Sequence, residues 1–218
     1  QMGTVPAEVL RKGVEDPESG LLPPFMVDAI KKVEQVCVLR VDPQKIDTVL
    51  DLAMYDRIFE VCHRRRNGFA IRYFQMQVDL LNLRSLLRAK RLGQGFDFLK
   101  EMLIPHGSLN ASFYGRAIEQ PYEQLIREVE STSYGRVVAE GVQDFLRTGT
   151  LTAFERLMDD FLLNYVKVLR YNPFGIEAIA GYLLAKENEI KLIRIIMVGK
   201  INNLPAEKIR ERLRDVYV

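Results

Sequence analysis

Apolar residues recur at intervals of three and four along nearly the whole chain. Strict alternation over a strand's length is hard to find, so the pattern predicts an almost entirely helical protein. Asp42-Pro43 has the chemistry of a helix start, with Asp as N-cap and Pro at the first helical position. From there Ile46, Val49, Leu50, Ala53, Met54, Ile58 and Val61 form one stripe. The stretch His63-Arg64-Arg65-Arg66-Asn67-Gly68 follows, where basic residues suit a helix C-terminus and the glycine provides a stop. Further helices are expected over 69–92 (closed by Gly93), 96–104, 122–129, 135–146, 153–169 and 176–201, and a last one after Leu204-Pro205. Thr152-x-x-Glu155 has the spacing of a capping box for the helix over 153–169. Residues 4–20 are rich in Pro, Gly and acidic side chains without periodicity, and residues 1–22 therefore read as a linker or the remnant of a preceding module.

The pattern repeats. Leu83-Arg84-Ser85-Leu86-Leu87-Arg88-Ala89-Lys90 lies over Ile193-Arg194-Ile195-Ile196-Met197-Val198-Gly199-Lys200 at an offset of 110 residues. Upstream, Ile46-Asp47-x-x-Leu50-Asp51 lies over Phe154-Glu155-x-x-Met158-Asp159 at an offset of 108. A two-residue difference belongs in a loop, where insertions are tolerated. The expected organisation is two duplicated helical modules, 23–115 and 116–218, whose period is far above that of the short helical repeats.

Composition narrows the function. With 48% hydrophobic and 28% charged residues the 218-residue chain can bury a core and still dissolve. A formal net charge of +2 argues against a dedicated polyanion binder. Two cysteines, Cys37 and Cys62, make no disulfide framework and read as small core residues. The strongest apolar run, 193–198, is broken by Arg194 and is too short to span a bilayer.

Chemical motifs are incomplete. Val198-Gly199-Lys200 ends like a phosphate loop, but Arg194 stands where the earlier glycine belongs and Ile201 where a Ser or Thr belongs. His63 and His106 are the only histidines, and Cys62 beside His63 points about 100° away on a helix, so no metal site is expected. Asp159-Asp160 reads as a solvated face or a salt bridge between helices, and His63–Arg66 as a basic helix end. In 181-GYLLAKENEIKLIRIIMVGK-200 the segment 186–191 reads as the polar surface part of a long helix whose later part is buried nearly all round. Arg84 and Arg194 occupy equivalent apolar surroundings and need acceptors. Asp51 and Asp159, also repeat-equivalent, are the expected partners, which gives one structural ion pair per module. No catalytic residue and no cofactor are assigned.

The same residues carry a family resemblance. Tyr171-Asn172-Pro173-Phe174-Gly175 through Gly181-Tyr182-Leu183-Leu184-Ala185-Lys186-Glu187-Asn188-Glu189-Ile190, then Ile193-Arg194 and Gly199-Lys200, resemble the C subunits of the archaeal and bacterial A/V-type rotary ATPases, a family related to the d subunit of the eukaryotic vacuolar enzyme. Ile46-Asp47, Leu50-Asp51, Tyr55, Asp79-Leu80-Leu81-Asn82-Leu83-Arg84, Leu87-Arg88-Ala89-Lys90 and Ser133-Tyr134-Gly135 fit the same family. The resemblance implies an all-helical funnel of three similar modules, with no active site of its own. It also implies a peripheral place on the cytoplasmic face of the membrane, between the central stalk and the proteolipid ring. Two of those modules are recognised in this sequence. The loops after the two repeat-equivalent helices, with Lys90, Arg91, Lys200, Asn202 and Asn203, are the expected partner surface. The other readings are a helical scaffold unrelated to membranes, or a small acid/base enzyme using the carboxylates of 47–51 and 155–160.

Overall fold

The computed structural model describes residues 4–38, 41–169 and 176–214, and among these every regular element is helical. The chain divides into two compact units, residues 1–67 with 104–106, and residues 68–103 with 107–218. This boundary follows packing and falls at 67/68, whereas the expected duplication has its boundary at 115/116.

In the first unit, α1 (Ala7–Glu15) is followed by a 3-10 turn, Pro17–Ser19, and by α2 (Pro24–Val36) and α3 (Pro43–Arg64). Residues 4–20, read as part of a linker or of a preceding module's remnant, thus contain a helix and a 3-10 turn. Gly13 on α1 is buried, and a Cβ there would fall 2.3 Å from Leu22 Cγ, so the glycine lets the helix close on that side chain. The Asp42 carboxylate accepts the Gln44 N–H at 3.0 Å, and Pro43 occupies the first turn as its fixed φ allows. The face of α3 that is fully buried is Tyr55, Phe59 and Cys62, one residue, or about 100°, round from the expected stripe. Leu50 and Met54, placed in that stripe by periodicity, are exposed. Aromatic bulk decides the orientation: Phe59 stacks on the His106 ring with centroids 4.6 Å apart.

Gly68 is not the stop of α3. Asn67 N–H reaches Cys62 O at 3.1 Å and Arg66 N–H reaches His63 O at 3.0 Å, the paired bonds of a Schellman ending. That geometry requires a left-handed residue one position after the cap, and Arg66 takes it with φ 51°. A side chain with a Cβ is strained there. Arg66→Gly should therefore raise stability by about 0.5–1 kcal/mol in urea denaturation. A lowered midpoint would contradict the reading.

The second unit is built around α4 (Gly68–Arg91), which carries nine buried residues including Val78, Leu80, Leu83 and Leu86. α5 (Phe96–Met102), α6 (Ala111–Glu119) and α9 (Thr152–Leu169) pack on α4, and α7 (Tyr122–Glu130) and α9 pack on α8 (Gly135–Thr148). α10 (Ile176–Ile201) lies along α9, and α11 (Ala206–Arg210) folds back on α10. α8 and α9 approach where Gly141 meets Phe154; a Cβ on Gly141 would sit 3.2 Å from the Phe154 Cα.

One buried carboxylate ties three parts of this unit together. Asp79 on α4 is fully buried. It accepts hydrogen bonds from Ser108 N–H at 3.0 Å, Ser108 Oγ at 2.5 Å, Leu109 N–H at 3.0 Å and Tyr134 Oη at 2.7 Å. A fourfold-satisfied carboxylate fixes the segment entering α6 and the start of α8 against α4. Burial, reinforced by the negative charge of Asp79, pushes the Tyr134 phenol above its ordinary range.

The helix ends bear on the repeat. After α4, Gln94 N–H bonds Ala89 O at 3.0 Å and Gly93 N–H bonds Lys90 O at 3.1 Å, with Gly93 at φ 64°. After α10, Leu204 N–H bonds Gly199 O at 2.9 Å and Asn203 N–H bonds Lys200 O at 3.0 Å, with Asn203 at φ 52°. The same Schellman ending thus recurs at the 110-residue offset seen in the sequence. Gly in one copy and Asn in the other are the two residues that tolerate the left-handed position best.

Candidate interaction surface

The two repeat-equivalent lysines have different environments. Lys90 is half-buried, and its ammonium donates to three carbonyls at the C-terminus of α6: Ala117 O and Ile118 O at 2.9 Å, and Gln120 O at 2.5 Å. It also lies 5.1 Å from the Tyr122 ring centre. A cation against the negative end of a helix is a structural lock, so the expected partner role of Lys90 is corrected to an internal one. Burial pulls its pKa below the usual lysine range, with Glu119 opposing. Lys200 is exposed in the last turn of α10. Among the described residues only the five-residue α11 follows it, in place of a helix end like that of α6.

Arg91 is exposed but already engaged: its guanidinium donates to Gly149 O and lies 5.8 Å from the Phe145 ring centre. Asn202 and Asn203 are exposed, and Asn202 Nδ2 donates to Val198 O at 2.8 Å. The loops 91–95 and 201–203 are both exposed.

Asp159 and Arg84 each meet partners that the sequence did not suggest. Asp159 Oδ2 accepts from Arg214 Nε at 2.8 Å and from Lys191 Nζ at 3.2 Å. Among the described residues Arg194 does not join it; that side chain is exposed on α10. The partner stands one helical turn earlier than the sequence suggests, because α10 turns Gly181, Asn188, Leu192 and Gly199 inward and Arg194 lies off that face. Arg84 meets Glu155 Oε1 at 3.6 Å, and Arg88 meets the same oxygen at 2.9 Å. Asp51 is exposed on α3, in the other unit.

Glu155 therefore serves two arginines. Its backbone N–H goes to Leu151 O at 2.8 Å, and the Thr152–Glu155 capping box does not form among the described residues. The carboxylates considered for acid/base chemistry are divided between the units. Glu155 and Asp159 are ion-paired, Asp160 is buried beside them in sequence, and Asp47 and Asp51 are exposed on α3.

His106 Nε2 lies 2.8 Å from Asp56 Oδ1. Its ring and that of His63 approach the same Phe59, at 4.6 Å and 6.3 Å, a grouping that spacing alone did not reveal. The basic run 63–66 is exposed, as its reading as a solvated helix end requires. Cys62 is buried and burial pushes its thiol pKa up; Cys37 is half-buried. The Gly199-Lys200 pair closes α10, and Gly199 has a packing reason: a Cβ there would fall 2.7 Å from Ile209 Cγ1 on α11.

The largest feature is α10 itself. Far from being buried all round in its later part, it leaves Ile179, Leu183, Ile190, Ile193 and Met197 each 54–66% exposed, and Ile201 72% exposed. Apolar residues exposed along a helix in this way make it a candidate for an interface. Among the described residues no helix is long and apolar enough to cross a membrane.

Comparison with known proteins gives a family. The model of the ATP synthase (C/AC39) subunit family matches residues 2–212. The chain is 26% identical over 216 residues to the C subunit of the V-type sodium ATPase of Enterococcus hirae, covering 96% of this chain and 63% of that protein. It is 31% identical over 145 residues to the C subunit of the A-type ATP synthase of Methanosphaera stadtmanae, covering 65% of this chain and 38% of that protein. The corresponding protein of Methanocaldococcus jannaschii is 32% identical over 139 residues, covering 62% of this chain and 35% of its own length. The chain thus spans 35–63% of the length of these curated relatives. No solved structure matches the chain.

Proposed function

From the premise that the chain belongs to the ATP synthase (C/AC39) subunit family, we propose that it is a non-catalytic coupling subunit of a V/A-type rotary ATPase, a socket joining the central stalk to the proteolipid ring. Its place is the cytoplasmic face of the membrane, held there through the complex. Its task is mechanical: torque must pass without slipping, which calls for stiff, well-anchored helices and broad contacts. The transported ion, H⁺ or Na⁺, is then chosen by the ring.

The observation that carries this reading beyond family membership is α10. One face packs along α9, and the opposite face is a long apolar surface directed away from its own unit. That is how a subunit built to be gripped by neighbours distributes its hydrophobic residues. Lys200, Asn202 and Asn203, exposed at the end of α10, extend this surface with polar groups suited to a rim. The Asp159–Arg214 and Lys90–α6 locks stiffen the second unit, as torque transfer requires.

Removing the subunit from the holoenzyme tests the role. ATP hydrolysis by the catalytic head should persist, while ATP-driven ion uptake into reconstituted vesicles should fall to background. Uptake that survives without the subunit would contradict the proposal.

A further inference from the structure

A cleft of about 830 Å³ opens in the second unit and is lined by α4, α8 and α9. α9 supplies two neighbouring rows at helical spacing: Leu157, Phe161 and Tyr165, and beside them Arg156, Asp160 and Asn164. Met76 on α4 and Val137 on α8 are buried in its wall, and Leu157 and Phe161 are half-buried. The rest of the lining carries three arginines, Arg72, Arg136 and Arg156, and two carboxylates, Glu140 and Asp160.

Both carboxylates are already engaged. Glu140 accepts from Arg136 Nε at 2.8 Å, one turn away on α8, and Asp160 has a partner of its own. Among the described residues Arg72 and Arg156 form no ion pair. Arg156 is half-buried, and its Nε is shut off from solvent without an acceptor. A cation held partly dehydrated and uncompensated attracts anions more strongly than one in open water. Arg72 is exposed and stands near Tyr165: burial pushes that phenol up, and the positive charge of Arg72 opposes the push.

The donors select the ligand. A guanidinium offers five N–H groups and no acceptor, in a fork that matches the oxygens of a phosphate or carboxylate. Two unpaired guanidiniums suit a dianion, which a phosphate monoester approaches at neutral pH and a carboxylate does not. The hydroxyl of Ser133 and the amide of Asn164 add neutral donors at the same cleft. A bare phosphate ion would leave most of the volume empty, since clefts of this size accommodate ligands with an organic body. The apolar wall gives such a body a place out of water.

We propose that this cleft binds an organic phosphate monoester, its phosphate held by Arg72 and Arg156 and its apolar body laid against Met76, Val137, Leu157 and Phe161. The cleft lies within the second unit alone, so the proposal stands whether or not the rotary assignment holds.

Calorimetric titration of the intact protein with hexyl phosphate, hexanoate and inorganic phosphate tests it. Hexyl phosphate should bind saturably, at least about tenfold more tightly than either of the others. Arg72→Gln and Arg156→Gln should each weaken it at least about tenfold. Arg72 is exposed, so its variant should keep the circular dichroism of the wild type even if the half-buried Arg156 variant does not. Arg147→Gln removes the same charge from an exposed position of α8 outside the cleft and should leave the affinity unchanged. Vesicles containing phosphatidic acid distinguish the source. Co-sedimentation that Arg72→Gln abolishes assigns the phosphate to a lipid headgroup, and hexyl phosphate binding without co-sedimentation assigns it to a soluble molecule. No saturable binding of hexyl phosphate, binding no tighter than that of hexanoate or inorganic phosphate, or binding that Arg72→Gln leaves unchanged would overturn the proposal.

Discussion

Asp79→Ala is expected to lower stability by about 3–5 kcal/mol, with a fall in Tm on the order of 10 °C. Alanine removes the acceptor for Ser108 N–H, Leu109 N–H and Tyr134 Oη at once, and leaves those donors in a site with no room for compensation. Gly107 shows how tight that site is: a Cβ there would fall 2.3 Å from Asp79 Oδ1. Asp79→Asn keeps the shape and one acceptor but turns an amide toward a donor, so it should fall between wild type and alanine. The sign of the pH dependence follows from the phenol. Tyr134 is held protonated by burial and by Asp79, so its folded pKa lies above the unfolded value of about 10. The stability it contributes is fully present below that unfolded value and is lost as pH rises above it. Urea denaturation from pH 7 upward should show the loss, and Tyr134→Phe should reduce it, the remainder coming from Tyr114, Tyr122 and Tyr165, whose phenols burial also pushes up. An Asp79→Ala protein as stable as wild type would remove the network from the account.

Lys90→Glu and Lys200→Glu should separate, although the two positions align in the sequence at an offset of 110 residues. Lys90→Glu places a carboxylate against three carbonyls at the negative end of α6 and should cost about 2–4 kcal/mol. Lys200→Glu changes an exposed side chain and should cost under about 0.5 kcal/mol. In binding to partner subunits the order reverses: the Lys200 variant should lose affinity while its thermal midpoint is unchanged. Equal stability effects at the two sites would mean that Lys90 is not a lock.

The helical class was legible because the apolar period is carried by many residues, and the Asp42-Pro43 start and the Gly93 stop because each follows from one residue's backbone chemistry. α6 was missed although its signal is present. Asn110 caps Phe113 N–H at 2.9 Å, and Phe113, Tyr114, Ala117 and Ile118 repeat at helical spacing; the neighbouring Pro105 and Gly107 obscured it. Asp79 lies in a stretch that resembles the family, yet its role depends on loop amides some thirty residues away that no local pattern reveals. The tilt of the α3 stripe depends on where Phe59 finds His106, also a long-range matter. α10 misled most. An apolar run reads as buried when sequence alone is considered, because composition does not say whether the cover comes from the same chain or another. The exposure of Ile193 and Met197 is what makes that run a candidate surface rather than core.

We propose that the subunit bridges stalk and ring. Capture by the intact immobilised protein, presented separately with purified central-stalk subunits and with detergent-solubilised proteolipid ring, tests it most directly. Saturable capture of both is the predicted result, each weakened by Ile190→Asp/Ile193→Asp or Lys200→Glu if α10 forms that contact, with folding unchanged by circular dichroism. A well-folded intact protein that captures neither would contradict the account.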